Sequence, residues 1–229
     1  MNSLLLLNGS PRGERSNSIK MLERIAEGWR RKGGTVEALH LARRDQFARA
    51  VTAFAEAETV LLGMPLYTDA MPAVVKEYIE ALMPRVAAAK AGLRNPTLGF
   101  LVQSGFPEAR HSRPVERYLE KLAARLGSRY AGTIVRGGGG ALEWMPEQAN
   151  KKLWQQLRVL GEQLARDGQF GAAELKAIAG RERLGPLTVM LATLACKLPL
   201  TQSMWNKMLK ENGVWERRFD APYGPAFRP

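Results

Sequence analysis

The chain has 229 residues, 45% hydrophobic and 24% charged, which suits one packed domain with an appendage. A single cysteine, Cys196, excludes an intrachain disulfide, and no Cys/His cluster has the spacing of a metal site. The net charge of +12 is spread along the chain, with no run of five like charges and no nucleic-acid motif, so no nucleic-acid partner is expected.

In chain order, apolar runs alternate with helical patterns. Ser3–Leu7 predicts a first strand. Ile19, Leu22, Ile25, Ala26 and Trp29 share a helical face that Gly33-Gly34 ends. Thr35–Leu41 predicts the second strand, and Phe47, Val51, Phe54 and Ala55 a second helix. Thr59–Met64 is apolar throughout, as in a strand buried on both faces. Pro72 opens a helix with Val75, Tyr78, Ile79 and Leu82 facing inward. Thr97–Val102 predicts the fourth strand. Pro114 opens a helix carrying Val115, Tyr118, Leu119, Leu122 and Leu126, which Gly127 stops. Arg129–Val135 predicts the fifth strand and Pro146–Ala165 the last helix of the domain.

Five strands alternating with helices predict an α/β fold with a doubly wound parallel sheet. In the order 2-1-3-4-5, one that doubly wound sheets commonly take, the ligand crevice opens at the carboxyl ends of strands one and three. Those ends are the Asn8–Ser18 and Pro65–Met71 loops. The first loop joins a buried strand to a helix, so free N–H groups and the positive end of the helix dipole converge on whatever anion sits there. Ser10, Ser16 and Ser18 offer hydroxyls, Asn17 an amide, and Arg12 or Arg15 a charged fork. A Ser/Asn/Gly loop before a helix also serves as a plain N-cap and turn, and both readings stand. Neither G-x-G-x-x-G nor G-x-x-x-x-G-K-[ST] is present, which favours one terminal phosphomonoester over a pyrophosphate or triphosphate.

The segment Gly9-Ser10-Pro11-Arg12-Gly13-Glu14-Arg15-Ser16-Asn17-Ser18, with one extra residue between Arg12 and Ser16, resembles the phosphate loop of the NADPH-dependent FMN reductase family. Gly63-Met64-Pro65-Leu66-Tyr67-Thr68-Asp69-Ala70-Met71-Pro72-Ala73 is similar to that family's second loop. The resemblance covers about residues 3–165 and implies a flavodoxin-like domain over 1–168, with its five parallel strands in the order 2-1-3-4-5. It implies bound FMN, with NADPH or NADH as electron donor and a homodimer, since flavin sites in the family often lie at subunit contacts. Pro65, Leu66, Tyr67 and Thr68 would line the flavin ring. The loops Gln103-Ser104-Gly105-Phe106-Pro107-Glu108 and Gly137-Gly138-Gly139-Gly140, after strands four and five, would bring backbone N–H groups to its N1/C2=O edge, with Ser104, Gly105, Phe106, Gly137, Gly138 and Gly139 as the candidate binding residues and Tyr67 or Phe106 against the ring; the four glycines also read as a flexible strand-to-helix loop. Flavin carries the chemistry, so no catalytic side chain is required; Tyr67 and His111 are the weak candidates. Some relatives carry a cysteine motif for an iron–sulfur cluster, which one cysteine does not supply.

Residues 169–229 are expected to form a helical extension and arm. Leu187, Met190, Leu191, Leu194 and Leu198 share a face of an apolar segment bracketed by Pro186 and Pro199, too short to span a bilayer. Packing on the domain or a dimer partner is the first reading for this segment. An interfacial membrane helix is the second, and a lid over a substrate pocket the third. Met204, Trp205, Met208 and Trp215 read as helix packing, and Arg218–Gly224 as an extended arm. No basic leader precedes the first strand, so the cytoplasm is the expected compartment. The expected activity is transfer of electrons from a reduced nicotinamide through FMN to a quinone, flavin, azo or nitro compound, or metal oxyanion. The alternative is an FMN-binding electron-transfer or regulatory protein without nicotinamide turnover.

Overall fold

A computed structural model describes residues 3–90, 92, 95–143, 145–196 and 199–221. Five strands, β1 (Ser3–Asn8), β2 (Thr35–His40), β3 (Thr59–Pro65), β4 (Thr97–Gln103) and β5 (Tyr130–Arg136), form one parallel sheet in the order β2-β1-β3-β4-β5. The central strands read as unbroken apolar runs because both faces of the sheet are covered. Leu5 and Leu7 point into one core layer with Val60, Leu62 and Phe100. Leu4 and Leu6 point into the other with Leu61 and Leu101.

Nine α-helices are described. On the first layer lie α2 (Arg44–Glu56), α3 (Ala73–Ala81) and α5 (Arg113–Arg125), contributing Phe54, Tyr78 and Leu119. On the second lie α1 (Asn17–Arg30), α6 (Glu147–Asp167) and α7 (Ala172–Ala179), contributing Trp29, Trp154 and Ile178. A fourth helix in chain order, α4 (Met83–Lys90), was not expected. Pro84 separates it from α3, because proline lacks the N–H to continue that helix and clashes with the carbonyl four residues back. Of the apolar residues expected along α5, Val115, Leu119 and Leu122 are buried and Tyr118 is exposed.

Packing carries the first compact unit to Arg183, past the expected boundary at 168. Phe170 and Ile178 are buried in the second core layer, and the Phe170 ring lies over Gly99 and Gly132, where the sheet offers no side chains of its own. The second unit, Leu184–Pro229, holds α8 (Pro186–Ala195) and α9 (Pro199–Glu211). Pro199 opens α9, so the apolar segment ends one helix and starts another. Leu198 and residues 222–229 lie outside the described residues. The described start of the expected arm, Arg218–Asp220, is not extended. It forms consecutive turns, with Arg217 N–H donating to the Val214 carbonyl and Asp220 N–H to that of Arg217. Among the described residues no helix is long and apolar enough to cross a membrane, and no group of His, Cys, Asp and Glu side chains is placed to hold a metal ion.

Candidate functional site

Because every strand runs the same way, the loops after β1, β3, β4 and β5 gather at one edge of the sheet. The chain crosses from β1 to β2 on one side and to β3 on the other, so a crevice opens between the loops after β1 and β3. A cavity of about 160 Å³ occupies this place. Ser10, Arg12, Ser16 and Asn17 line it from the first loop, and Pro65, Leu66 and Tyr67 from the second. Gln103, Gly105 and Gly140 complete the wall.

Asn8 organises the first loop. Its buried amide nitrogen lies 2.8 Å from the Gly13 carbonyl, 3.3 Å from Ser16 Oγ and 3.0 Å from His40 Nδ1. Its Oδ1 accepts from the Ser10 N–H at 3.1 Å. Ser10 Oγ accepts from the Arg12 N–H, which coils the loop further. Ser16 is the N-cap of α1, its Oγ accepting from the Ile19 N–H at 3.2 Å. The cap and the cavity wall are thus one residue, and the two readings of this loop are compatible. The cap leaves the N–H groups of Asn17 and Ser18 at the start of the helix, where the dipole is positive.

Asn17 ties this loop to the one after β5, donating from Nδ2 to the Gly139 carbonyl at 2.9 Å. Its buried Oδ1 has no hydrogen-bond partner. The four glycines are not a loose loop: Gly138 N–H donates to the Phe106 carbonyl and Gly139 N–H to that of Ser104, both at 2.7 Å. A Cβ on Gly137 would overlap the Pro107 carbonyl, and one on Gly139 would overlap Gln103 Oε1. The loops after β4 and β5 therefore lie backbone against backbone, and a 3-10 turn over Gly139–Glu143 follows.

The second loop is a two-residue hairpin. Tyr67 and Ala70 exchange backbone hydrogen bonds across Thr68 and Asp69, whose φ values of 48° and 60° are rare outside glycine and asparagine. This strained tip presents Tyr67, 46% exposed. Beyond it Phe106 is 56% exposed and stacks on His111 with ring centroids 4.7 Å apart. His111 Nε2 lies 3.2 Å from Glu108 Oε2, and Nδ1 lies 4.0 Å from Asp69 Oδ1. Arg136 ends β5 half-buried, donating to the Ile178 carbonyl at 3.2 Å; burial pushes its guanidinium below the usual arginine value.

Seven of the expected site residues line the cavity from the first two loops, and Gly105 lines it from the third. Ser18, Thr68, Ser104, Phe106, Gly137, Gly138 and Gly139 are not part of its wall. Ser18 is fully buried, 3.5 Å from Gln103 Nε2, and Ser104 Oγ donates to the Phe106 carbonyl. Asn8, Gln103 and Gly140 fall in the loops expected to form the site but are not among the residues expected to bind there. A polar residue closing an apolar strand was the available signal for Asn8 and Gln103; nothing local marks Gly140 apart from its three neighbours.

The wall fits a phosphorylated, hydroxylated ligand. It combines a helix N-terminus, serine hydroxyls and an arginine with a buried amide oxygen that lacks a donor. It is smaller than the ~300–1,000 Å³ of sites that enclose a whole ligand. It therefore suits the phosphate and chain of a ligand whose flat head lies at the mouth, beside Tyr67. A Cβ on Gly105 would meet nothing within 4 Å, so open space begins there. A larger groove of about 750 Å³ lies at the opposite edge, beside Thr59 and Thr97 at the starts of β3 and β4.

The sequence matches the family described as flavodoxin-like fold over residues 2–164. No curated protein matches it. Among solved structures it is similar to an FMN-dependent NADH-azoreductase from Bacillus anthracis in complex with FMN, at 18% identity and a TM-score of 0.55 over 72% of this chain and 100% of that one. An NADPH-quinone reductase from P. pentosaceus aligns at 18% identity and a TM-score of 0.52, over 72% of this chain and 98% of that one. An NADH:FMN oxidoreductase in its apo form aligns at 15% identity and a TM-score of 0.56, over 82% and 98%. At these identities the likeness is one of fold.

Proposed function

Because the chain belongs to the flavodoxin-like fold family, we propose that it is an FMN-dependent oxidoreductase that takes electrons from NADH or NADPH. A small acceptor, such as a quinone, a flavin, an azo or nitro compound or a metal oxyanion, would receive them. The observation that carries the reading is the cavity at the switch point, whose wall is the Ser10–Asn17 loop and whose mouth bears Tyr67. Ser10, Ser16, Arg12 and the first N–H groups of α1 would hold the phosphate. The unpartnered Asn17 Oδ1 would accept from a hydroxyl of the ribityl chain. When bound, FMN supplies the two-electron chemistry between nicotinamide and acceptor.

The chain's own part is to bind, orient and hold charge. The Ser104–Phe106 and Gly137–Gly140 loops are locked together because the Ser104, Gly138 and Gly139 N–H groups already donate to backbone carbonyls, so those three would fix the shape of the site and any stabilisation of negative charge would fall to other N–H groups of these loops. His111, held by Glu108 against Phe106, would meet the acceptor rather than the phosphate. Purified protein should show flavin absorption, as isolated or after FMN addition, and anaerobic NADH or NADPH should bleach it. A protein that takes up no FMN overturns the reading; one that takes it up but bleaches with neither nicotinamide is the electron-transfer or regulatory alternative.

A further inference from the structure

The second compact unit is built unlike the first. Over Pro186–Ala195, α8 has no charged residue. Leu187, Met190, Leu191 and Leu194 recur at helical spacing on one face and are 53–64% exposed. Such a stripe in water signals a surface that something covers. The residues that follow supply a second, different signal. In α9, Trp205 is 59% exposed. After it, Lys210 Nζ lies 5.0 Å from the Trp215 ring centre, and the Arg218 guanidinium lies 4.0 Å from that ring and 4.7 Å from Phe219, itself 85% exposed. The carboxylates of Glu211 and Asp220 are taken by Lys207 and Arg217. Residues 184–229 contain six Lys/Arg against three Asp/Glu.

We propose that this unit docks on an anionic lipid surface, with α8 lying in the plane of the interface. At ten residues α8 is about 15 Å long, half the ~30 Å of a bilayer core, so it lies on the membrane rather than crossing it. Exposed tryptophan and phenylalanine backed by lysine and arginine match the boundary between acyl chains and headgroups, where an aromatic ring and a cation are both satisfied. A second copy of the chain fits the same face less well. It would offer an identical uncharged helix and bring a second set of excess cations to the contact, whereas anionic headgroups answer both the apolar face and the charge. The proposal does not depend on the redox reading.

The test is co-sedimentation of the full-length protein with vesicles of phosphatidylcholine containing about 30% phosphatidylglycerol, and with vesicles of phosphatidylcholine alone. Wild type should sediment with the anionic vesicles at low salt, bind pure phosphatidylcholine at least about tenfold more weakly, and be released by about 0.5 M salt. L187E/L191E should abolish sedimentation. K210Q/R218Q, which leaves α8 intact, should weaken it by about fivefold or more. Circular dichroism should show both variants folded. Wild type that stays in the supernatant with anionic vesicles overturns the proposal, as does L187E/L191E protein that sediments like wild type. Light scattering showing that L187E/L191E turns a dimer into a monomer while vesicle binding is unchanged also overturns it, and assigns α8 to a second copy.

Discussion

Asn8 has three hydrogen-bond partners for two amide hydrogens, so it sits at the centre of the first loop rather than at its margin. Its hydrogens hold Gly13 and Ser16 near the helix start, and its oxygen holds Ser10. Asn8→Asp keeps the shape, removes both donors and places a negative charge where an anion is to bind. We expect a loss of about 1–3 kcal/mol in stability, read by urea unfolding. FMN affinity should fall by about tenfold or more, the equivalent of ~1.4 kcal/mol, read by quenching of flavin fluorescence. Riboflavin, lacking the phosphate, should lose much less; equal losses for both ligands would detach the loop from phosphate binding. Thr68 and Asp69 show the opposite economy. Both hold positive φ without being glycine, the second at a cost small enough for Asp but the first in a β-branched residue. Replacing the pair with the Asn-Gly that such hairpins prefer should stabilise the protein by about 1 kcal/mol, seen as a higher urea midpoint with unchanged slope.

At the scale of elements, the contact between α1 and α6 decides how the site's helix is held. Cβ atoms built on Gly28 and Gly161 would overlap the backbone of Arg158 and of Ile25. At these two positions the helices touch through main chain, and Ile25, Trp29, Leu157 and Leu160 belong to the core layer around them. Gly161→Ala sets two effects against each other. Alanine favours an isolated helix by about 1 kcal/mol, whereas the clash forces α6 away from α1 along its length. Overpacking typically costs about 1–3 kcal/mol and falls here on rigid backbone, so the clash should win. The variant should unfold at lower urea than wild type, and a midpoint at or above wild type would show that the helices part without penalty. Helix α4 carries a lesson about reading elements. Pro84 falls at its second position, yet the surrounding Met-Pro-Arg-Val-Ala-Ala-Ala run has little apolar periodicity to announce a helix.

For the whole molecule, the question is where the fold ends. Phe170 lies beyond the last helix expected from the alternating pattern, yet it covers the bare glycines of β4 and β5. A chain ending at Arg183 keeps this plug and should unfold cooperatively and still take up FMN. A chain ending at Gly168 loses both Phe170 and Ile178. Removal of one buried phenylalanine alone costs about 3–5 kcal/mol, a large part of the ~5–15 kcal/mol that holds a domain together. The shorter chain should therefore be poorly soluble or unfold at much lower urea. Equal midpoints for the two truncations would place residues 169–183 outside the folded unit.

The sequence alone determined the alternation of strands and helices and the two loops at the ends of the first and third strands. These follow from local signals: apolar runs of strand length, helical periodicity, and polar Gly/Pro/Ser breaks between them; the strand order is what the family resemblance of those two loops implies, and no local signal carries it. Tertiary structure decided what each polar group in those loops does. Ser16 caps a helix and lines the cavity, Ser18 turns inward to Gln103, and Asn17 reaches a carbonyl more than a hundred residues away. Such roles depend on which backbone atoms the crossovers bring alongside, and no spacing along the chain encodes that. The same holds for Phe170 and the helix-to-helix glycines: each is fixed by the shape of a distant partner, which exists only once the sheet has closed its neighbours around it.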